Sequence, residues 1–284
     1  MKLMAKVGQL RPELRSRIRT GVIGGALLLA VTLGLGTVGT AIVAVGIALF
    51  MTHEYLGMVL SLDDKVIKRQ VFLGIVWLVG FFSVFFPRVE YGLLLAAFLG
   101  TFFYFLATAS RHAESPESLE RHLRELVYGF FGTVYLAFLP LFLPLIRDES
   151  DGGRWLLTFF LINWVGDSAA YFVGMKKGRS KLYPAISPKK TWEGAWGGLA
   201  GSFIVTLFFK LLAFRGMSWA FVVLGPLLVG ASAQLGDLCE SFVKRAFQRK
   251  DSGNLLPGHG GVLDRFDGLV ISAPVMYLCI RILG

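Results

Sequence analysis

Residues 241–267 read SFVKRAFQRKDSGNLLPGHGGVLDRFD, preceded by Asp237-Leu-Cys-Glu240, and form the most polar run of their length in a chain that is otherwise largely apolar. Asp237, Glu240, Ser241, Lys244 and Gln248 recur at intervals of three and four, which predicts one face of a helix. Lys250-Asp251 and Asn254 lead into Pro257-Gly258-His259-Gly260-Gly261. Glycines beside a proline do not prolong a helix, so a tight loop is expected there. Asp264, Arg265 and Asp267 follow as the sequence turns apolar again. Carboxylates and cations thus meet within about three helical turns and one loop. Hard oxygen ligands beside Lys and Arg suit a divalent metal, magnesium above all, holding a polyphosphate.

Working outward, the rest of the chain has the composition of a membrane protein. Its 284 residues are 55% hydrophobic, with a mean hydropathy of +0.63. The expected fold is all-α and polytopic. Apolar runs fall at about 21–35, 38–60, 70–87, 91–110, 126–146, 153–175, 194–214, 217–247 and 262–283, several of them reaching the ~20 residues that cross a bilayer core. This predicts about nine transmembrane helices, with helices 1–4 in residues 1–110 and helices 5–9, carrying the site, in 111–284. The uncharged run from Gly21 to Met51 is too long for one span or for a signal-peptide core, and glycines 34, 36 and 39 offer a break. With the N-terminus in the cytoplasm, segments 1–20, 61–69, 111–125, 176–193 and 244–265 hold 23 of the 29 Lys and Arg residues. That asymmetry follows the positive-inside rule. The net charge of +10 therefore reads as topology plus an anionic substrate, not as a nucleic-acid footprint. Cys239 and Cys279 have no metal-type spacing and are expected to be structural.

Four further segments carry local signals. Ser115-Pro116 predicts a helix start, with Leu119, Leu123 and Leu126 along one face of a short surface helix. Asp167, inside the sixth apolar run, is expected to face a partner or a water-filled cavity, and so to wall the site. Glu54, at the end of the second run, is the other intramembrane acid of interest. In Ser187-Pro188-Lys189-Lys190, serine is expected to cap the seventh helix, with both lysines in its first turn, a ready anion site. Gly194, Gly198 and Gly197, Gly201 are spaced for close helix packing. His53, His112 and His122 share no spacing, and only His259 is placed at the site.

The run from Ser241 resembles the signature of the phosphatidate cytidylyltransferases, or CDP-diacylglycerol synthases. Its fixed elements stand at Ser241, Lys244-Arg245, Lys250-Asp251, Pro257, His259-Gly260-Gly261 and Asp264-Arg265-Phe266-Asp267. Ser187, Pro188, Lys190, Thr191, Glu193 and Gly194 match a second run of that family, and Asp167-Ser168 with Tyr171 a third. The resemblance covers about residues 163–284. It implies that phosphatidate attacks the α-phosphorus of CTP, giving CDP-diacylglycerol and pyrophosphate, with one or two Mg2+ ions. Asp237 and Asp264 are expected to hold the metal, and Glu240 and Asp267 to complete its shell or orient neighbouring cations. Lys190, Lys244, Arg245, Lys250 and Arg265 would bind phosphates. Ser187, Thr191, Glu193, Ser241, Asp251, His259, Gly260 and Gly261 would line the substrate site with Asp167. The resemblance also implies a homodimer, and the charge count predicts a cell-membrane protein with its site on the cytoplasmic face. A CTP-dependent kinase of a polyprenol or other lipid alcohol would use the same metal logic but would need a base such as Asp167. A transporter would gather its charges at the midplane, which this chain does not do.

Overall fold

The protein is described by a computed structural model covering residues 12–60, 65–85, 90–108, 115–256 and 260–284. Its elements are α1 (Pro12–Gly34), α2 (Gly36–Val59), α3 (Lys65–Phe85), α4 (Glu90–Thr108), α5 (Pro116–Gly132), α6 (Phe142–Asp148), α7 (Gly152–Lys177), a hairpin of β1 (Lys181–Tyr183) and β2 (Ser187–Thr191), α8 (Trp192–Leu212), α9 (Trp219–Ala246) and α10 (Leu263–Leu283). Among the described residues, six helical rods are long and apolar enough to cross a membrane: α2, α5 continued through α6, α7, α8, α9 and α10. The chain is a multi-pass, all-α membrane protein.

The expected break in the first apolar run lies at Leu35–Gly36, where glycine takes a φ of +64° that few other residues adopt. Thr40 Oγ1 donates back to Thr32 O at 3.2 Å across this turn, and Arg147 Nε donates to the same carbonyl. The segment from Pro116 is longer than expected. It begins where Ser115 Oγ accepts from Ser118 N at 3.2 Å, but then runs to Asp148 through a π-helical turn (Thr133–Phe138) and a 3-10 turn (Leu139–Leu141). Pro140 lies in that 3-10 turn; it lacks an N–H and crowds the carbonyl four residues back, which loosens the helix without ending it.

Two apolar cores meet along α10. One gathers Trp155, Phe159 and Phe160 of α7 with Phe221 of α9 and Ala273 and Met276 of α10. The other joins Met51, Tyr55 and Leu56 of α2 to Leu136 and to Val262, Leu263 and Val270. The start of α10 is therefore embedded among N-terminal helices. Lipid supplies no hydrophobic drive between helices, so small residues set how closely they approach. The glycine spacings on α8 do this against α7: a Cβ at Gly197 would lie 2.6 Å from Val173 Cβ, and one at Gly201 2.6 Å from Ala169 Cβ. Gly236 of α9 likewise sits against Asp267 O and Gly268 Cα of α10, at 2.7 and 3.0 Å from its would-be Cβ.

The hairpin overturns one expectation. Ser187 does not cap a helix, and Lys189 and Lys190 do not occupy its first turn; residues 187–191 form β2, antiparallel to β1. Thr191 is the cap, its Oγ1 accepting from Gly194 N at 3.1 Å. Proline disfavours the α region for the residue before it and is tolerated in an edge strand, so Ser187-Pro188 reads equally well as extended chain.

Candidate active site

Four elements converge where α9 and α10 come closest. Close approach at Gly236 brings Asp237 of α9 beside Asp267 of α10. Asp167 of α7 and Lys190 of β2 lie within electrostatic reach of both. Lys190 Nζ is 2.7 Å from Asp237 Oδ2, and Ser241 Oγ donates to Asp237 Oδ1 at 3.4 Å. Asp267 accepts from Gly268 N at 2.7 Å. Asp167 is exposed and Asp237 half-buried, so this cluster is open on one side.

One turn along α9, a second cluster is more enclosed. Lys244 Nζ lies 2.5 Å from Glu240 Oε2 and 2.6 Å from Asp264 Oδ1. Glu240 is buried and makes this ion pair without an aligned hydrogen bond to either oxygen among the described residues. Asp264 Oδ2 accepts from Ser252 N at 3.0 Å, Ser252 Oγ at 3.0 Å and Gly261 N at 2.9 Å. Behind it, Glu54 of α2 accepts from Val262 N at 3.0 Å, Leu263 N at 2.9 Å and Ser252 Oγ at 3.1 Å.

The expected helical face is present from Asp237 to Lys244. Gln248 is not on it: α9 ends at Ala246, and Gln248 takes a left-handed φ of +54°. Arg245 donates from Nε to Ile186 O at 3.3 Å and from Nη1 to Arg249 O at 3.1 Å, tying α9 to the hairpin turn. Glu193 accepts from Arg179 N and Ser180 N at 3.1 and 3.2 Å, closing the hairpin from its other side. Ser187 is half-buried within β2, while Lys250, Asp251 and Arg265 are exposed. Gly260 has a φ of +80°, and its would-be Cβ lies 2.8 Å from Asp264 Oδ2. Pro257, Gly258 and His259 lie outside the described residues, as does the basic segment 1–11.

Ser252 is the residue sequence reasoning missed; its place directly after Lys250-Asp251 was the available signal. Gln234, whose Nε2 donates to Ala195 O at 3.1 Å, was also passed over.

The donor set can be tested against a divalent cation. No three carboxylate, His or Cys groups converge at ligand distance among the described residues. The two clusters nevertheless place five carboxylates (167, 237, 240, 264 and 267) around two lysines, Lys190 and Lys244. Such an excess of hard, anionic oxygen favours a bound cation. Asp264 is already engaged by four donor contacts and Glu240 by Lys244. Asp237 and Asp267 retain acceptor capacity and fit the ion best.

A family model described as the cytidylyltransferase family matches residues 15–283. Among curated relatives, a protein of Brucella suis named phosphatidate cytidylyltransferase is 48% identical over 148 residues, covering 52% of this chain and 54% of the relative. One of Bacillus subtilis with the same name is 43% identical over 141 residues, covering 50% and 52%. One of Staphylococcus epidermidis, again so named, is 42% identical over 135 residues, covering 48% and 52%. The matched part of this chain thus spans about half the length of these curated relatives.

Proposed function

The chain belongs to the cytidylyltransferase family, and on that premise we propose that it is a phosphatidate cytidylyltransferase. A phosphate oxygen of phosphatidate attacks the α-phosphorus of CTP; a new P–O–P linkage forms, the α–β anhydride bond breaks, and pyrophosphate leaves. The nucleophile is a phosphate monoester whose second pKa is near ~6, so it needs no strong general base. What the site must do is bring two polyanions together and balance charge on the leaving group. The observation that carries this reading is the pair of half-enclosed lysines, Lys190 and Lys244, each held by carboxylates where four elements meet.

Lys190 reaches the phosphates from the hairpin and Lys244 from α9, with Arg265 and Lys250 exposed alongside. Arg245 and Glu193 hold the hairpin so that Lys190 is aimed at the cluster. A magnesium ion on Asp237 and Asp267 would supply charge neutralisation for the polyphosphate. Asp264 and Glu240 set the position of Lys244 beside it. Phosphatidate would enter from the leaflet and CTP from the cytoplasm, with nine spans and a cytoplasmic N-terminus. A second copy of the chain, which the family resemblance implies, would cover part of the apolar outward face of α8, where Trp196, Ile204 and Phe208 are exposed.

The test is product analysis. Purified protein with phosphatidate, magnesium and each nucleoside triphosphate should yield CDP-diacylglycerol and pyrophosphate from CTP. Formation of CDP with a phosphorylated lipid alcohol, or no product from phosphatidate, would overturn the proposal.

A further inference from the structure

Glu54 is a buried carboxylate, 5% exposed, and the proposed chemistry makes no use of it. It lies on α2, about two hundred residues from its partners in the chain. Both oxygens are taken up by the signature loop: Oε1 accepts from Val262 N at 3.0 Å, and Oε2 from Leu263 N at 2.9 Å and Ser252 Oγ at 3.1 Å. Val262 and Leu263 open α10, where unpaired N–H groups and the positive end of the helix dipole both favour an anion. Ser252 Oγ also lies 3.0 Å from Asp264 Oδ2. Its single proton serves one carboxylate at a time, so the hydroxyl links Glu54 to Asp264. Asp264 in turn holds Lys244.

Two glycines mark how closely the loop wraps this carboxylate. A Cβ at Gly253 would lie 2.6 Å from Glu54 Oε1, and a Cβ at Gly261 would run into both Ser252 Oγ and Glu54 Oε2. Gly261, a fixed element of the signature, thus has two neighbours that leave no room for a side chain, Ser252 and Glu54.

We propose that Glu54 is a positioning residue: from α2 it clamps Ser252, Val262 and Leu263 so that Asp264 and Lys244 face the reacting phosphates. This rests on the transfer reaction proposed above. A carboxylate is required because both oxygens face donors; an amide would turn its own NH2 against a backbone N–H.

The experiment compares Glu54→Gln with the native protein in hydrogen exchange and in steady-state turnover of CTP and phosphatidate. Exchange of the amides in 252–256 and 260–263 should rise about tenfold or more, while the α7–α8 contact keeps its protection. Turnover should fall about tenfold or more, with KM for CTP changed by less than about threefold, because the loss is one of orientation. Native exchange in 252–256 and 260–263, or faster exchange with native turnover, would overturn the proposal. Should Glu54→Gln fail to fold, Ser252→Ala removes only the hydroxyl link; it is expected to raise exchange and lower turnover in the same direction, and a native result in both would overturn the idea. If the native protein makes no CDP-lipid, the reaction assigned above fails, and the exchange data alone then judge the clamp.

Discussion

Lys244 sits between Glu240 and Asp264 with 12% of its side chain exposed, so it is held by two anions and presented rather than free. Asp264 has a double attachment, to this lysine and to the backbone of its own loop. Asp264→Asn is expected to lower CTP-dependent product formation by about a hundredfold, and also to speed hydrogen exchange at 252–256 and 260–261. Asp237→Asn should lower turnover similarly but leave that loop protected, since its partners are Lys190 and Ser241. Equal exchange in both variants would remove the division of labour drawn between the two aspartates. Lys190 has 25% of its side chain exposed, more than Lys244, and its pair with Asp237 is easily exchanged for a phosphate. Lys190→Ala should therefore raise KM for CTP and lower turnover, and native values for both would leave the lysine as a topology determinant only.

At the scale of the element, the hairpin and α8 act together. Thr191 ends β2 and caps α8, and Arg245 and Glu193 pin the hairpin from either side, so Lys190 is delivered by extended chain. The α7–α8 contact depends on the absence of side chains at Gly197 and Gly201. Gly197→Ala places a methyl against Val173 Cβ at 2.6 Å, and one of the two helices must shift. Overpacking of this kind costs about 1–3 kcal/mol, which should appear as a lower melting temperature in detergent micelles. A native melting curve would mean that the helices have room the present packing does not suggest.

Across the whole molecule, contacts sort the helix ends into two sets. Thr37 meets Asp148, Glu149 meets Arg281, and Ser218 meets Leu283 at one end. At the other, the buried pair Lys68–Glu125 joins the site residues Lys190, Asp237, Glu54 and Asp264. These are the same two sets that the Lys/Arg count separates. If the basic set is cytoplasmic, a cysteine at Ser150 will react with an impermeant reagent on intact cells, while Cys239 and a cysteine at Ser180 will not; outside labelling at Ser180 would overturn that orientation. The helices themselves were legible in the sequence, because a bilayer tolerates only long apolar runs with internally satisfied backbones, and composition records that directly. So was the face from Asp237 to Lys244, because 3.6-residue periodicity is local. The strand at Ser187–Thr191 was not: a Ser-Pro pair fits a helix start or extended chain, and only pairing with Lys181–Tyr183 chooses between them. Nor was the partner of Glu54, since an acid on one helix carries no mark of the backbone N–H groups that will reach it about two hundred residues later. Periodicity and composition act along the chain, whereas which carboxylate holds a metal, a lysine or a loop is settled by distances that exist only once the helices have packed.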